Sequence, residues 1–144
     1  MDCSPKPNQG CDGGFADDSL TYVVANGLVE EASYPYITRN TTCKYNKINN
    51  EKKYKISDFS AIYTDSDAML NAIIDNGPLI AYVSASNRYF QYYGSGIFNY
   101  KDCPNNVDDL DHAVTIVGYG TDKTTKLMYW LVKNRFIIYI YIYI

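Results

Sequence analysis

The sequence predicts an α+β fold, with helices in its first half and strands in its second. Apolar residues recur at helical spacing over 15–26 and 64–76, and from residue 79 onward the apolar runs become short and strand-like. The chain has 144 residues, of which 47% are hydrophobic. That length and content are sufficient for one domain with a hydrophobic core, and they argue against disorder.

The first predicted helix follows a loop. Residues 1–14 are rich in glycine, proline and asparagine, which favour turns. The helix is predicted over 15–26, and Gly27 follows it at the position where a glycine commonly ends a helix. Residues 28–57 are expected to be irregular, because Pro35 interrupts them and the part after residue 45 is polar and basic.

The second predicted helix has recognisable start and stop signals. Thr64 and Asp67 have the spacing of a capping box, with aspartate in place of the usual glutamate. Gly77 and Pro78 end the helix. Between these signals, four apolar residues recur at helical spacing: Met69, Leu70, Ile73 and Ile74.

Strands are predicted over 79–85, 96–99, 113–119 and 128–133. The polar segment 120–126 joins the last two in a hairpin. Residues 137–144 then alternate isoleucine and tyrosine, which is the period of a strand, but both alternating sets are apolar or aromatic and neither carries a charge. We interpret this segment as a degenerate terminus, and a genuine strand is the alternative.

The composition disfavours several classes of function. A net charge of −3 gives no electrostatic basis for binding nucleic acid or an anionic membrane, and the longest apolar run, 136–144, is too short to cross a bilayer as a helix. The four cysteines include no C-x-x-C pair, so disulfides are favoured over a zinc site. Disulfides indicate a secretory or lysosome-like compartment, although the first residues lack the character of a signal peptide. We expect no metal and no cofactor.

One histidine and one asparagine stand out as candidate catalytic residues. His112 opens a predicted strand, Asn134 closes the next one, and His112 is the only histidine in the chain. Acid–base chemistry near neutral pH therefore depends on His112, and Asn134 is suitably placed to fix its tautomer. The structural alternative is a hydrogen-bonded core histidine and an ordinary asparagine at a strand end.

Six motifs, in order, resemble those of the papain-like cysteine peptidases, the cathepsin L group and its relatives. They are DC with GCDGG (2–3 and 10–14), ASYPY (32–36), NGPL (76–79), YGSGIF (93–98), DHAV with GYG (111–114 and 118–120) and YWLVKN (129–134). The resemblance implies the papain-like two-lobe α+β fold, here incomplete. It assigns 1–57 to the tail of the helical lobe and the crossover, 58–134 to most of the β-barrel-like lobe, and leaves 135–144 as a non-homologous tail.

The resemblance also implies roles for individual residues. His112 matches the histidine that takes and returns a proton, and Asn134 matches the amide that orients it. Six further residues match positions that contact substrate: Gly13, Gly14, Phe15, Ala16, Tyr82 and Ala113. Cys3 is expected to pair with Cys43, while Cys11 and Cys103 are expected to be unpaired because their family partners lie outside this sequence.

Three departures from the family pattern bear on activity. The segment with the nucleophilic cysteine and the oxyanion-hole glutamine is missing, the Ser-Trp-Gly after the asparagine is replaced by residues 135–137, and the final strands are replaced by the isoleucine–tyrosine tail. Phe136 would replace the shielding tryptophan only in part. We therefore expect an inactive fragment of a cysteine endopeptidase. The alternative is a pseudoenzyme or peptide-binding module; a serine hydrolase is disfavoured because the chain has no G-x-S-x-G elbow.

The resemblance further implies polypeptide substrates, a monomer, and a lysosome-like or extracellular location. Residues 40–42 form an N-x-T glycosylation sequon, which is relevant only in a secreted protein.

Overall fold

The computed structural model describes residues 1–48, 50–63, 65–104, 106–135 and 139–143. The chain divides into two compact units, Met1–Ala61 and Ile62–Ile144. Within the described residues, no helix is both long enough and apolar enough to cross a membrane. The predicted helix-first, strand-second order is confirmed.

The first unit contains one α-helix and two short 3₁₀ helices. Helix α1 spans Ala16–Asn26, and Gly27 ends it with a φ of +79° while its N–H donates to the carbonyl of Val23. The 3₁₀ helices, Gly10–Asp12 and Tyr45–Ile48, lie in segments predicted as loop or irregular. The predicted helix and its glycine stop are therefore confirmed to within one residue.

Helix α2 opens the second unit and spans Ser66–Asn76. Its N-cap is Asp65, whose side chain accepts a hydrogen bond from the N–H of Ala68 at 2.8 Å. The sequence predicted Thr64 as the N-cap, in a capping box with Asp67, but the observed N-cap is Asp65. Thr64 itself lies outside the described residues. Gly77 ends α2 as predicted, with a φ of +90°.

The described residues of the second unit contain the strands β1 (Leu79–Val83), β2 (Ile97–Phe98), β3 (His112–Thr121), β4 (Met128–Lys133) and β5 (Tyr139–Tyr143). These strands form one sheet in the order β1-β3-β4-β5-β2. The β2–β5 pair is parallel, and the other three pairs are antiparallel. The predicted hairpin is the β3–β4 pair, which contains an irregularity between Ile116 and Gly118.

The described part of the isoleucine–tyrosine segment, residues 139–143, forms a strand, which was the alternative interpretation of the sequence. Strand β5 pairs with β4 over five residues, and Ile140 is fully buried opposite Val132. The tyrosines of β5 are exposed on the other face. The alternation of isoleucine and tyrosine is therefore that of a strand with one buried face, since isoleucine packs inward and tyrosine points to solvent.

A cluster of buried apolar residues holds α2 and a short helix, α3 (Arg88–Gln91), against one face of the sheet. Phe90 of α3 and Ile73 of α2 belong to this cluster. Helix α3 was not predicted from the sequence. Its start signal is Asn87, whose side chain accepts hydrogen bonds from the N–H groups of Tyr89 and Phe90.

Candidate active site

His112 and Asn134 lie together at one edge of the sheet. His112 is the first residue of β3 and Asn134 follows the last residue of β4. Because these strands are antiparallel neighbours, the start of one meets the end of the other. The His112 Nε2 atom lies 2.9 Å from the Asn134 Oδ1 atom, and both side chains are half-buried.

A backbone amide fixes which way the Asn134 side chain points. Its Oδ1 atom also accepts a hydrogen bond from the N–H of Arg135 at 2.8 Å. A backbone N–H can only donate, so the atom facing both partners is the oxygen rather than the amide nitrogen. His112 must therefore donate from Nε2, and in the neutral ring Nδ1 keeps its lone pair.

Asp111 ties the start of β3 to the chain that follows β1. Its two carboxylate oxygens accept hydrogen bonds from the backbone N–H groups of Ala85, at 2.6 Å, and Ser86, at 3.0 Å. The bond from Ala85, followed by those from Ser86, holds the pKa of Asp111 below its ordinary value. The first strand was predicted to end at residue 85, but β1 ends at Val83, because the N–H groups that follow it donate to this carboxylate. Asp111 thus fixes the backbone next to His112.

Helix α3 brings an aromatic ring against the imidazole. The rings of Phe90 and His112 are 6.4 Å apart at an interplanar angle of 72°. Phe90 is 6% exposed and also packs edge-on against Phe98, 5.6 Å away. Phe90 therefore closes one side of His112 to solvent.

A surface cavity of about 350 Å³ surrounds this pair. Five residues that line this cavity were not predicted as site residues: Ala85, Ser86, Phe90, Gln91 and Asp111. Asp111 is the first residue of the DHAV motif, and its position directly before His112 is the one sequence signal for its role. No group of three or more potential metal ligands occurs in the part of the chain that is described. A cavity of about 440 Å³ in the first unit contains none of the predicted catalytic or substrate-binding residues.

The predicted substrate-binding residues fall in both units. Tyr82 and Ala113 are direct partners in the β1–β3 pair, and both are exposed on the same face of the sheet. In the first unit Gly13, Gly14 and Phe15 are exposed and Ala16 is half-buried. Gly13 has a φ of +112° and open space beside it. A Cβ at Gly14 would lie 2.1 Å from Asn8 Oδ1, which accepts a hydrogen bond from the N–H of Phe15, so a side chain here would require Asn8 to move.

The four cysteines form one disulfide. Cys3 and Cys43 are bonded, with their Cα atoms 4.8 Å apart. Cys11 and Cys103 are free and exposed. The bonded pair lies wholly within the first unit.

Comparisons with known proteins find one matching family and several similar proteins. The profile of the family described as "Papain family cysteine protease" matches residues 1–137. The chain is 38% identical to rat (Rattus norvegicus) procathepsin L over 141 residues and 38% identical to human (Homo sapiens) cathepsin L2 over 142 residues. Each alignment covers 93% of the chain but only 40% of the relative. The crystal structure of the Amb a 11 cysteine protease, a ragweed pollen allergen in its proform, superposes with a TM-score of 0.84 at 31% identity. It covers 99% of this chain and 44% of that one.

Proposed function

The chain belongs to the papain family of cysteine proteases, and from that premise we propose that it is part of a cysteine endopeptidase in which His112 is the general base and Asn134 orients it. The observation that carries the proposal is the contact between His112 Nε2 and Asn134 Oδ1, whose direction the Arg135 amide fixes. It leaves Nδ1 as the ring atom able to take a proton.

The proposed mechanism assigns one step to each atom of this pair. A cysteine thiol gives its proton to Nδ1, and the thiolate attacks the peptide carbonyl. The protonated ring then returns the proton to the leaving amine. Throughout these steps the Nε2–H stays bonded to Asn134, which keeps the ring in the orientation that the transfers require.

The thiol itself must come from polypeptide outside residues 1–144. No segment of the printed sequence resembles the family's cysteine–tryptophan helix start. Cys103 is a free thiol in the same unit as His112, and it does not line the cavity around this histidine. We therefore propose that residues 1–144 alone do not hydrolyse peptides, since loss of a nucleophile removes the covalent chemistry altogether.

The substrates of the complete enzyme would be polypeptides held in extended form. Gly13 and Gly14 would pair with the substrate backbone. By their match to the family, Ala16, Tyr82 and Ala113 would line the pocket for a substrate side chain, and Phe15 would flank it. The tyrosine hydroxyl and ring at Tyr82 would make that pocket shallow. The Cys3–Cys43 disulfide supports an oxidising, secretory or lysosome-like compartment.

Two assays test the proposal. Residues 1–144 are incubated with a fluorogenic dipeptide substrate under reducing conditions; turnover that an epoxide thiol trap blocks would contradict inactivity of this chain. Next, the nucleophile-bearing segment of a papain-family protease is joined before residue 1. The joined protein is expected to gain peptidase activity, and His112→Gln should lower kcat/KM on the order of 10²–10⁴-fold.

The alternative, a peptide-binding module without catalysis, predicts a different result. The joined protein would then bind an extended peptide but show no turnover, and His112→Gln would leave binding unchanged. Tyr119→Phe serves as the matched control, because Tyr119 lies on the same strand but away from His112, at the opposite end of β3. Equal activity of the joined protein with and without His112 would refute the assignment of the base.

A further inference from the structure

The sequon at residues 40–42 is a motif that the proposed peptidase chemistry does not use. Asn40, Thr41 and Thr42 form the only N-x-S/T sequence among the 144 residues. We propose that Asn40 carries an N-linked oligosaccharide, and that the folded first unit accommodates it without losing the contacts of the Asn40 amide. In the cell, this modification requires the secretory location proposed above.

The acceptor residue and the hydroxyl that completes the motif are both accessible. Asn40 and Thr42 are exposed and belong to a stretch, 40–44, without regular secondary structure. Among the described residues, the Thr42 hydroxyl makes no hydrogen bond that the fold would lose. Surface exposure in an irregular segment is the setting in which sequons are used.

The middle residue of the motif anchors the segment instead. The N–H of Thr41 donates to Asp2 Oδ1 at 2.8 Å, and its hydroxyl donates to Asp2 Oδ2 at 2.6 Å. These bonds hold the pKa of Asp2 below its ordinary value. Thr41, whose identity the motif does not specify, therefore contributes to the fold. Thr42, whose hydroxyl the motif requires, is exposed.

The Asn40 amide can bear a sugar and keep its native partners. Its Oδ1 atom accepts a hydrogen bond from the N–H of Cys11 at 2.9 Å, and its Nδ2 atom lies 3.5 Å from the carbonyl oxygen of Gln9. The Nδ2 atom has two hydrogens, so one can remain directed at Gln9 while a glycan replaces the other. Linkage leaves Oδ1 unchanged, and with it the bond to Cys11.

The transfer needs one co-reactant, a lipid-linked oligosaccharide diphosphate. Nδ2 attacks the anomeric carbon of the first sugar, and a carbon–nitrogen bond forms as the bond from that carbon to the diphosphate oxygen breaks. The lipid diphosphate leaves, and the Nδ2 proton passes to a base of the transferase. No oxidant or reductant takes part.

The test is translation of the chain, behind a cleavable signal peptide, in the presence of microsomes. The wild-type chain, Thr42→Ser and Thr41→Ala are expected to gain a single glycosidase-sensitive increase in mass. Asn40→Gln and Thr42→Ala should lose that increase. Thr42→Ala is the decisive variant, because it destroys the motif while leaving the Asn40 amide and its partners in place.

Three results would overturn the proposal. The first is a wild-type chain without the glycosidase-sensitive increase in mass, and the second is an increase that persists in Thr42→Ala. The third is a glycosylated chain in which peptide mapping finds Cys3 and Cys43 unbonded, because the glycan would then be incompatible with the folded first unit. Neither readout depends on peptidase activity, so failure here is distinguishable from failure of the proposed enzyme.

Discussion

Asn134 determines which nitrogen of His112 carries the proton. The amide oxygen is oriented by the backbone N–H of Arg135 and accepts from Nε2, so the geometry selects one tautomer. A hydrogen bond of this kind contributes about 1 kcal/mol. That amount is enough to bias a tautomer equilibrium by roughly fivefold, since 1.4 kcal/mol corresponds to a factor of ten.

Replacing Asn134 should therefore change the state of the ring. In Asn134→Ala the acceptor is gone, and we expect the fraction of neutral His112 protonated at Nε2 to fall. The ¹⁵N chemical shifts of the two ring nitrogens measure this directly, because the chain has only one histidine. Asn134→Asp keeps an acceptor, so at a pH high enough for the ring to be neutral it should retain the Nε2–H tautomer. Identical shifts in wild type and Asn134→Ala would contradict the proposed role.

Asp111 should make stability depend on pH in the acidic range. Hydrogen bonds from Ala85 and Ser86 place its folded pKa below the ordinary value of 3.8. The unfolded chain therefore binds its proton first as the pH falls. The stabilisation is complete above the unfolded pKa and is lost as the pH drops through the folded pKa.

Urea unfolding of Asp111→Asn measures this contribution. The variant should unfold at lower urea than wild type at pH 7, and the difference should shrink once the pH falls below about 4. Asp108→Asn removes the same charge from an exposed carboxylate that makes no hydrogen bond among the described residues, so it should show little difference at either pH. A difference that grows toward low pH would contradict the sign of the argument.

Strand β5 is part of the sheet, and the burial of its side chains predicts how much each one contributes to the free energy of unfolding. Ile140 is 0% exposed and lies opposite Val132, which is 1% exposed. Ile140→Ala should lower the free energy of unfolding by about 2–5 kcal/mol, since the substitution leaves a cavity in the core. Tyr139→Ala, on the exposed face of the same strand, should cost less than about 1 kcal/mol. Equal costs would mean that β5 does not contribute to the core.

The elements differ in how far their sequences predict them. Helices α1 and α2 are predictable because apolar spacing and glycine stops act locally, at Gly27 and Gly77. Helix α3 has only four residues, too few to show a period, so Asn87 was its only signal. The sheet order is non-local: β2 pairs in parallel with β5, about forty residues away, and no local pattern encodes that partner.

The site residues likewise include some that the sequence could predict and some that it could not. His112 and Asn134 could be predicted because they occur in motifs shared with a family. The contact of Asp111 with Ala85 and Ser86 could not, since it depends on where β1 ends relative to β3. The same is true of Phe90, which reaches His112 only because α3 folds back onto the sheet.

Considered as a whole, the chain leaves much apolar surface uncovered. Among the residues that the structure describes, the face of the sheet opposite the core exposes five large side chains: Ile80, Tyr82, Tyr139, Tyr141 and Tyr143. A sheet is most stable when both apolar faces are packed against other elements. We therefore expect residues 1–144 to be marginally stable, which makes the single disulfide important.

Removing that disulfide should destabilise the first unit in particular. The bond joins residues 40 apart, and the entropy that it removes from the unfolded chain corresponds to about 3–4 kcal/mol of stability. In Cys3→Ser/Cys43→Ser, hydrogen exchange monitored by mass spectrometry should accelerate in peptides from residues 1–61, because the bond closes a loop wholly inside that unit. Cys11→Ser, which removes a free and exposed thiol, should leave exchange unchanged. Equal acceleration in peptides from 62–143 would show that the bond stabilises the whole chain rather than the unit that contains it.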